Sequence, residues 1–470
     1  MTFNSLQFAL GLVTVVLVTW RLTYRKQNVF LLVVSYAFYA AWDWRFLALL
    51  FISSVIGYTS GIALHAATDE RRRKGILISR VALNLGMLAI FKYAGFFVDG
   101  LSDLLGVVGL DTTAPTLSII LPIAISYYTF EEISYAVDIY RREIEPCRDV
   151  VTYGLFVAFF PKLVAGPILR PKELIPQIER PRPRPDRERV ISALGLLLWG
   201  LVQKVVIADS LAVHVDDIFR DPSAMSWFAL TVGTLCFAGQ IYGDFSGYTD
   251  IARGAARLLG FELPLNFRQP YLSSSFTAFW RTWHMTLSRW LRDYLYIPLG
   301  GNKGGARRTM LNLMIVMLLG GLWHGAGWTF LIWGGIHGAM LAAERLSGSA
   351  VDNSGVIPSA RQLPRILLTF GLVCVAWVFF RADSLDIALE ILGRILTLQG
   401  GIHVATAVPW LLIATVVFVA SDLIGRRLEL RGPGSVTVTS ERVGVLVGIA
   451  AVALVVTSGG SPVPFIYFQF

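Results

Sequence analysis

Three of the chain's six histidines fall between Trp283 and Gly338: His284 in RTWHM, His324 in GGLWHGAGWTF and His337 in GGIHG. His324 stands between two apolar arms, 310–323 and 328–342. An arm of 14 residues is ~21 Å long at the helical rise, against a hydrocarbon core of ~30 Å. A hairpin rising from the inner surface would therefore carry His324 past the midplane. An ionisable side chain at such depth is costly and marks a functional site by default. A neutral imidazole, the form low-dielectric surroundings favour, acts as a general base. Gly325 and Gly327 are expected to open space beside the ring. The alternative is a core histidine hydrogen-bonded to a helix carbonyl. His337, on the returning arm, is expected to be structural, and His65, His214 and His403, in or near loops, to be solvated.

The spacing argues against other chemistries. No H-x-x-x-H, HExxH or Cys/His pairing offers the close ligands zinc needs, so no metal is expected. No G-x-S-x-G elbow points to a serine hydrolase. Cys147, Cys236 and Cys374 have neither pair nor metal spacing and read as inert packing residues.

Elements able to hold a histidine at that depth must cross lipid, and the composition supplies them. The 470 residues are 55% hydrophobic and only 16% charged, with mean hydropathy +0.60. Soluble domains carry about 25% charge. Runs such as ILISRVALNLGMLAIF (76–91) and LLIATVVFVA (411–420) identify an all-α, polytopic membrane chain. The net charge of +9 is assigned to cytoplasmic loops, not to nucleic acid. The N-terminal twenty residues lack a basic leader and a small-residue cleavage site, so a retained first helix is expected.

Loop charge orders the path. The basic segments 21–26, 69–74, 141–148 and 170–189 face the cytoplasm; 98–116, with Asp99, Asp103 and Asp111 and no Lys or Arg, faces outward. Stretches 28–42 and 46–64 are two spans joined by WDWR. Segment 151–168 must enter and return, with Gly166-Pro167 as its break. Segment 253–308 carries nine Lys/Arg against Glu262 and Asp293, and its aromatic and basic mix predicts helices lying on the membrane surface. Spans 366–380, 406–424 and 442–458 follow. The sum is roughly eleven spans plus two re-entrant hairpins forming a funnel, in a single domain over 1–470. Residues 243–338 would be its catalytic core and 459–470 an outward C-terminal tail, with both termini periplasmic.

Several words are specific beyond their chemistry: SYAFYAAWDWRF (35–46), LPIAISYYTFEEISYAVDIYR (121–141), FFPKLVAGPILRP (159–171), GDFSGYTDIARG (243–254), LNFRQPYLSSSFTAFWRTWHMTLSRWLRDYLYIPLGGN (265–302), GLWHGAGWTFLIWGGIHG (321–338), WVFFRAD (377–383) and the final FIYFQF. With these the chain resembles the membrane-bound O-acyltransferase family. The resemblance is to the bacterial branch of alginate O-acetylase and peptidoglycan O-acetyltransferase membrane subunits, and the words run from one end of the chain to the other.

The resemblance implies an inner-membrane enzyme that passes an acetyl group from a cytoplasmic thioester, with acetyl-CoA as donor and no bound cofactor, toward an exported polysaccharide. It implies His324 of the WHG word as the catalytic residue and His284 of FWRxWH as its partner on the cytoplasmic side. The oxyanion donor stays open between His284, Trp323 and a backbone N–H beside Gly325. The cations of 253–308, Arg281 and Lys303 among them, are candidates for the coenzyme A phosphates, although GGNKGG (300–305) reads first as a tight turn. Asp244 and Asp250 are expected to cap a helix break.

The tail SGGSPVPFIYFQF allows two readings. Its aromatics suit an anchor at the headgroup level. F-I-Y-x-x-F also resembles the C-terminal motif of small proteins accompanying the teichoic-acid branch, which implies Tyr467 as an acyl carrier. Phe465, Phe468 and Phe470 would seat it, and a periplasmic partner enzyme with a serine nucleophile would receive the acyl group. D-alanyl transfer and peptidoglycan O-acetylation are the alternatives; a transporter should show paired halves, and none is visible.

Overall fold

Backbone in lipid must satisfy its polar groups internally, and the computed structural model is accordingly helical. It describes residues 5–107, 120–163, 166–353, 357–430 and 465–466. Among these the only strand-like pairing is one isolated bridge between Met225 and Ile402. The described chain divides into two compact units, residues 1–185 with 256–263, and residues 186–255 with 264–470.

The first unit contains α1 (Leu6–Thr19), α2 (Tyr24–Ala66), α3 (Glu70–Leu88), α4 (Ala94–Val107), α5 (Ile125–Tyr140), α6 (Val150–Ala158), α7 (Phe160–Leu163) and α8 (Pro171–Ile178). At 43 residues, α2 is ~65 Å long, twice the hydrocarbon core. It breaks at Asp43 (φ −156°, ψ 110°), so WDWR joins two helical segments, at the place where the sequence predicts a junction. The segment expected to enter and return is the short buried pair α6 and α7, whose helix breaks at Phe159 (φ −53°, ψ 108°), ahead of the expected Gly166-Pro167. Residues 98–107, expected in an outward loop, continue α4; Asp111 lies outside the described residues.

The second unit contains α9 (Arg187–Leu201), a π-helical turn Val202–Ala208, α10 (Asp209–Arg220), α11 (Trp227–Leu258), α12 (Phe276–Thr282), α13 (Met285–Leu291), α14 (Gly305–His324), α15 (Trp328–Ser347), α16 (Leu363–Arg381), α17 (Leu385–Leu396) and α18 (Ala407–Leu430). The sequence reading missed α17, a short amphipathic helix with Asp386, Glu390 and Arg394 along one stripe and Ala388 and Ile391 buried. Two expectations are corrected. α11 runs unbroken past Asp244 and Asp250, because neither residue sits at a helix end. The helices expected to lie on the membrane surface, α12 and α13, are seven residues each and bury Phe276, Phe279, Trp280, Leu287 and Trp290. Phe276, Phe279 and Trp280 share one face of α12, and that face is covered by protein, all three rings packing against His337 of α15.

Among the described residues five helices are long and apolar enough to cross a membrane: Tyr24–Ala66, Glu70–Ser102, Arg187–Arg220, Ala360–Arg381 and Ala407–Ile424. The expected span 442–458 lies outside the described residues. All three cysteines are buried free thiols. In the loop after α5, burial pushes the Cys147 thiol up to about 12, which keeps it unreactive.

Candidate active site

α14 and α15 form a tight antiparallel hairpin with His324 at its tip, as the last residue of α14. Close approach needs bare backbone at the crossing. A Cβ on Gly321 would run into the Phe330 carbonyl oxygen, and one on Gly334 into that of Met317. Each arm has 20 residues, ~30 Å of helix, where 14 and 15 were expected, because α14 starts at Gly305. The space beside His324 is not opened by Gly325, as expected from the sequence. The Phe330 ring occupies the volume a Cβ there would need.

His324 is 3% exposed. Its ring lies 4.9 Å from Trp323, 5.0 Å from Trp333 and 5.4 Å from Phe380, centroid to centroid. Aromatic edges and faces therefore fix its orientation. The imidazole of His284 lies 6.3 Å away at 62°. His284 sits in the break between α12 and α13, fully buried, with left-handed backbone (φ 41°, ψ 54°). Such a conformation is unfavourable for a residue with a Cβ and persists where the surroundings over-determine it. Asn266 does much of that. Its carbonyl accepts from Met285 N–H at 2.9 Å, and its Oδ1 accepts from the N–H and hydroxyl of Thr286 at 3.2 and 2.9 Å. The His284 ring stands edge-on to Phe245 at 4.7 Å and lies 5.9 Å from Trp323. Neither of its ring nitrogens makes a hydrogen bond among the described residues. The break lies outside the membrane-spanning helices, and burial pushes the His284 pKa down to about 3, so the ring is neutral. Asn266 escaped the sequence reading; its only signal was membership of the LNFRQP word.

His337 accepts a hydrogen bond at Nδ1 from Trp280 Nε1 (3.2 Å) and stacks on Phe279 at 5.9 Å, as a packing residue does. The sequence-nominated set thus divides. His324, His284 and Trp323 come together. Arg281 is turned to the surface in an ion pair with Asp352, and Lys303 is exposed on a turn with positive φ at Gly300, Gly301, Gly304 and Gly305. Tyr467 lies outside the described residues, but Phe465 and Ile466 just before it are fully buried. Phe465 packs 4.4 Å from Tyr248 and 5.7 Å from Phe245, the ring that also faces His284.

A cavity of about 210 Å³ lies in the same unit, lined by Gln203, Ser246, Asp250, Asn266, Phe267 and Asp422 among others; Phe267 also packs on His284, at 6.4 Å. Among the described residues no three His, Cys, Asp or Glu side chains gather as metal ligands. Two imidazoles facing one another in an aromatic shell can divide acyl-transfer chemistry, one taking a proton and the other donating N–H to a developing oxyanion.

A model of the membrane-bound O-acyltransferase family matches residues 148–382, half of the chain, and that stretch holds His284, His324 and His337. The chain belongs to the membrane-bound O-acyltransferase family. It is 44% identical over 370 residues to the probable alginate O-acetylase AlgI of Azotobacter vinelandii, covering 77% of this chain and 71% of that one. Against the probable alginate O-acetylase AlgI of Pseudomonas putida, identity is 38% over 471 residues, 95% of both chains. It is 37% identical over 402 residues to the peptidoglycan O-acetyltransferase of Helicobacter pylori, covering 79% of this chain and 74% of that one. The protein is an O-acyltransferase and a multi-pass membrane protein, and the family assignment extends to both histidine-bearing helical breaks.

Proposed function

We propose that this enzyme carries an acetyl group from cytoplasmic acetyl-CoA across the inner membrane for O-acetylation of an exported polysaccharide. The observation that carries the reading is the facing of His324 and His284 across 6.3 Å, with the chain's own C-terminal residues seated on Phe245 beside them. Identity to the alginate O-acetylases supports the polysaccharide acceptor; identity to a peptidoglycan O-acetyltransferase supports the second reading, a cell-wall acceptor.

In this reading the phenol oxygen of Tyr467 attacks the thioester carbonyl carbon while His324 takes the phenol proton. His284 or Trp323 donates to the oxyanion. Collapse breaks the C–S bond, and the departing thiolate takes the proton back from His324. The acetyl group, now a tyrosyl ester, passes to a serine of a periplasmic partner enzyme and from there to the polymer. The donor's phosphates would meet Lys303 and the neighbouring Arg307 and Arg308, all exposed; Arg281, already paired, is the weaker candidate. Both termini would be periplasmic.

The test is mass spectrometry of the C-terminal peptide after incubation of the membrane enzyme with labelled acetyl-CoA. Label on Tyr467, abolished by Tyr467→Phe together with polymer acetylation, is expected. Undiminished polymer acetylation in Tyr467→Phe would make the tail an anchor. A glycan analysis of the same cells separates an alginate-like acceptor from peptidoglycan.

A further inference from the structure

A carboxylate grips the described part of the tail. Asp244 Oδ2 accepts the backbone N–H of Ile466 at 2.6 Å, although 222 residues separate them. Its other oxygen, Oδ1, lies 2.8 Å from Lys204 Nζ, and that ammonium is also 2.7 Å from Asp209 Oδ1. Lys204 and Asp244 are both buried. The π-helical turn Val202–Ala208 contains Lys204, and such a turn is frequent at functional positions. The same ammonium stands 5.5 Å from the Tyr248 ring, on which Phe465 packs.

We propose that Asp244, braced by Lys204, is a positioning residue that sets the register of the C-terminal tail and so presents the residue after Ile466 to the histidine pair. The geometry is more specific than an anchor requires. Aromatic burial alone lets an extended segment slide, whereas a backbone N–H given to a fixed carboxylate selects one residue. A slip of one residue would move Tyr467 by ~3.8 Å, more than a nucleophile can tolerate when reacting atoms must approach to ~3–3.5 Å. The bond is charge-assisted and buried, the stronger class. The presentation of Tyr467 rests on the acyl-carrier reading above; the grip on Ile466 does not.

Asp244→Ala is the variant to make. It removes the acceptor yet leaves Lys204 its ion pair with Asp209, so no buried cation is stranded. Hydrogen–deuterium exchange of the full chain in nanodiscs, resolved by peptide, reads the tail directly, and transfer of labelled acetyl to Tyr467 reads its consequence. Exchange at 459–470 should rise at least about tenfold in Asp244→Ala, with the α14–α15 peptides unchanged, and acetyl-Tyr467 should fall by about the same factor or more. Asp244→Asn keeps an acceptor and should restore part of both. Because a general loss of fold would also raise exchange in α14–α15, that control isolates the tail. Tail exchange equal to wild type in Asp244→Ala overturns the proposal. Faster tail exchange with no acetyl-Tyr467 even in the wild type sustains the grip and sinks the carrier reading instead.

Discussion

At the scale of single residues, the site depends on one disfavoured backbone conformation. His284 occupies left-handed space that costs roughly 1–3 kcal/mol, and Asn266 clasps the two residues that follow it. Replacing Asn266 by Ala should leave the histidines in place chemically but let the His284 ring wander, lowering kcat ~10²-fold for a displacement near 1 Å with little change in KM for the donor. Equal losses in kcat and KM terms with a reduced protein yield would make Asn266 merely structural. His324→Ala removes the proposed base and should cost ~10²–10⁴ in rate at matched membrane levels of protein; normal acetylation would dismiss the assignment. Transfer of labelled acetyl onto the enzyme should fall in both His324→Ala and His284→Ala, because His324 takes the phenol proton in that step and His284 is a candidate donor to its oxyanion. The candidate pair was legible in the sequence for two reasons: an ionisable ring in an apolar context, as at His324, is rare, and His284 stands in the FWRxWH word that carries the family resemblance. Asn266 and the Lys204–Asp244 pair were not, because Asn266 meets Thr286 20 residues on and Lys204 meets Asp244 on another helix, and spacing along the chain carries no sign of such contacts.

The α14–α15 hairpin decides where His324 sits, and its glycines decide the hairpin. Gly321 and Gly334 meet carbonyl oxygens of the opposite arm, while a Cβ on Gly335 would rest 3.6 Å from Leu318 Cδ2, ordinary contact. Close approach through small residues is how helices associate in lipid, where burial of apolar surface offers little drive. Gly321→Ala should therefore cost ~1–3 kcal/mol of overpacking and shift the His324 ring, lowering both thermal midpoint and turnover. Gly335→Ala should be neutral or slightly stabilising through helix propensity. Equal behaviour of the two variants, in a thermal shift measured alongside activity, would contradict the packing argument. The hairpin and the junction within α2 were legible from apolar length and punctuation. The burial of α12 and α13 was not: basic residues beside aromatics read as a surface helix, and only the tertiary fold shows Trp280 and Trp290 covered while Arg281 points out.

Over the whole molecule, ionisable groups inside the apolar chain have two different uses, and the first unit shows the one the sequence hides. Glu132 of α5 pairs with Arg80 of α3 at 2.5 Å and accepts from Ser53 at 2.6 Å, while the adjacent Glu131 pairs with Lys162 of α7. All four charged side chains are buried. Here the charges neutralise one another and tie α2, α3, α5 and α7 together, whereas His324 and His284 stand among aromatic rings. Burial of an ionisable group is thus no sufficient mark of catalysis, since these four are tied up in ion pairs. The difference is measurable. Glu132→Leu strands the Arg80 guanidinium and should cost ~3–5 kcal/mol, seen as loss of folded protein. Adding Arg80→Met to it removes the stranded charge and should recover most of that stability, with acyl transfer returning in proportion to the protein recovered. Full stability without transfer in the double variant would instead place the Arg80–Glu132 pair in the chemistry of the enzyme.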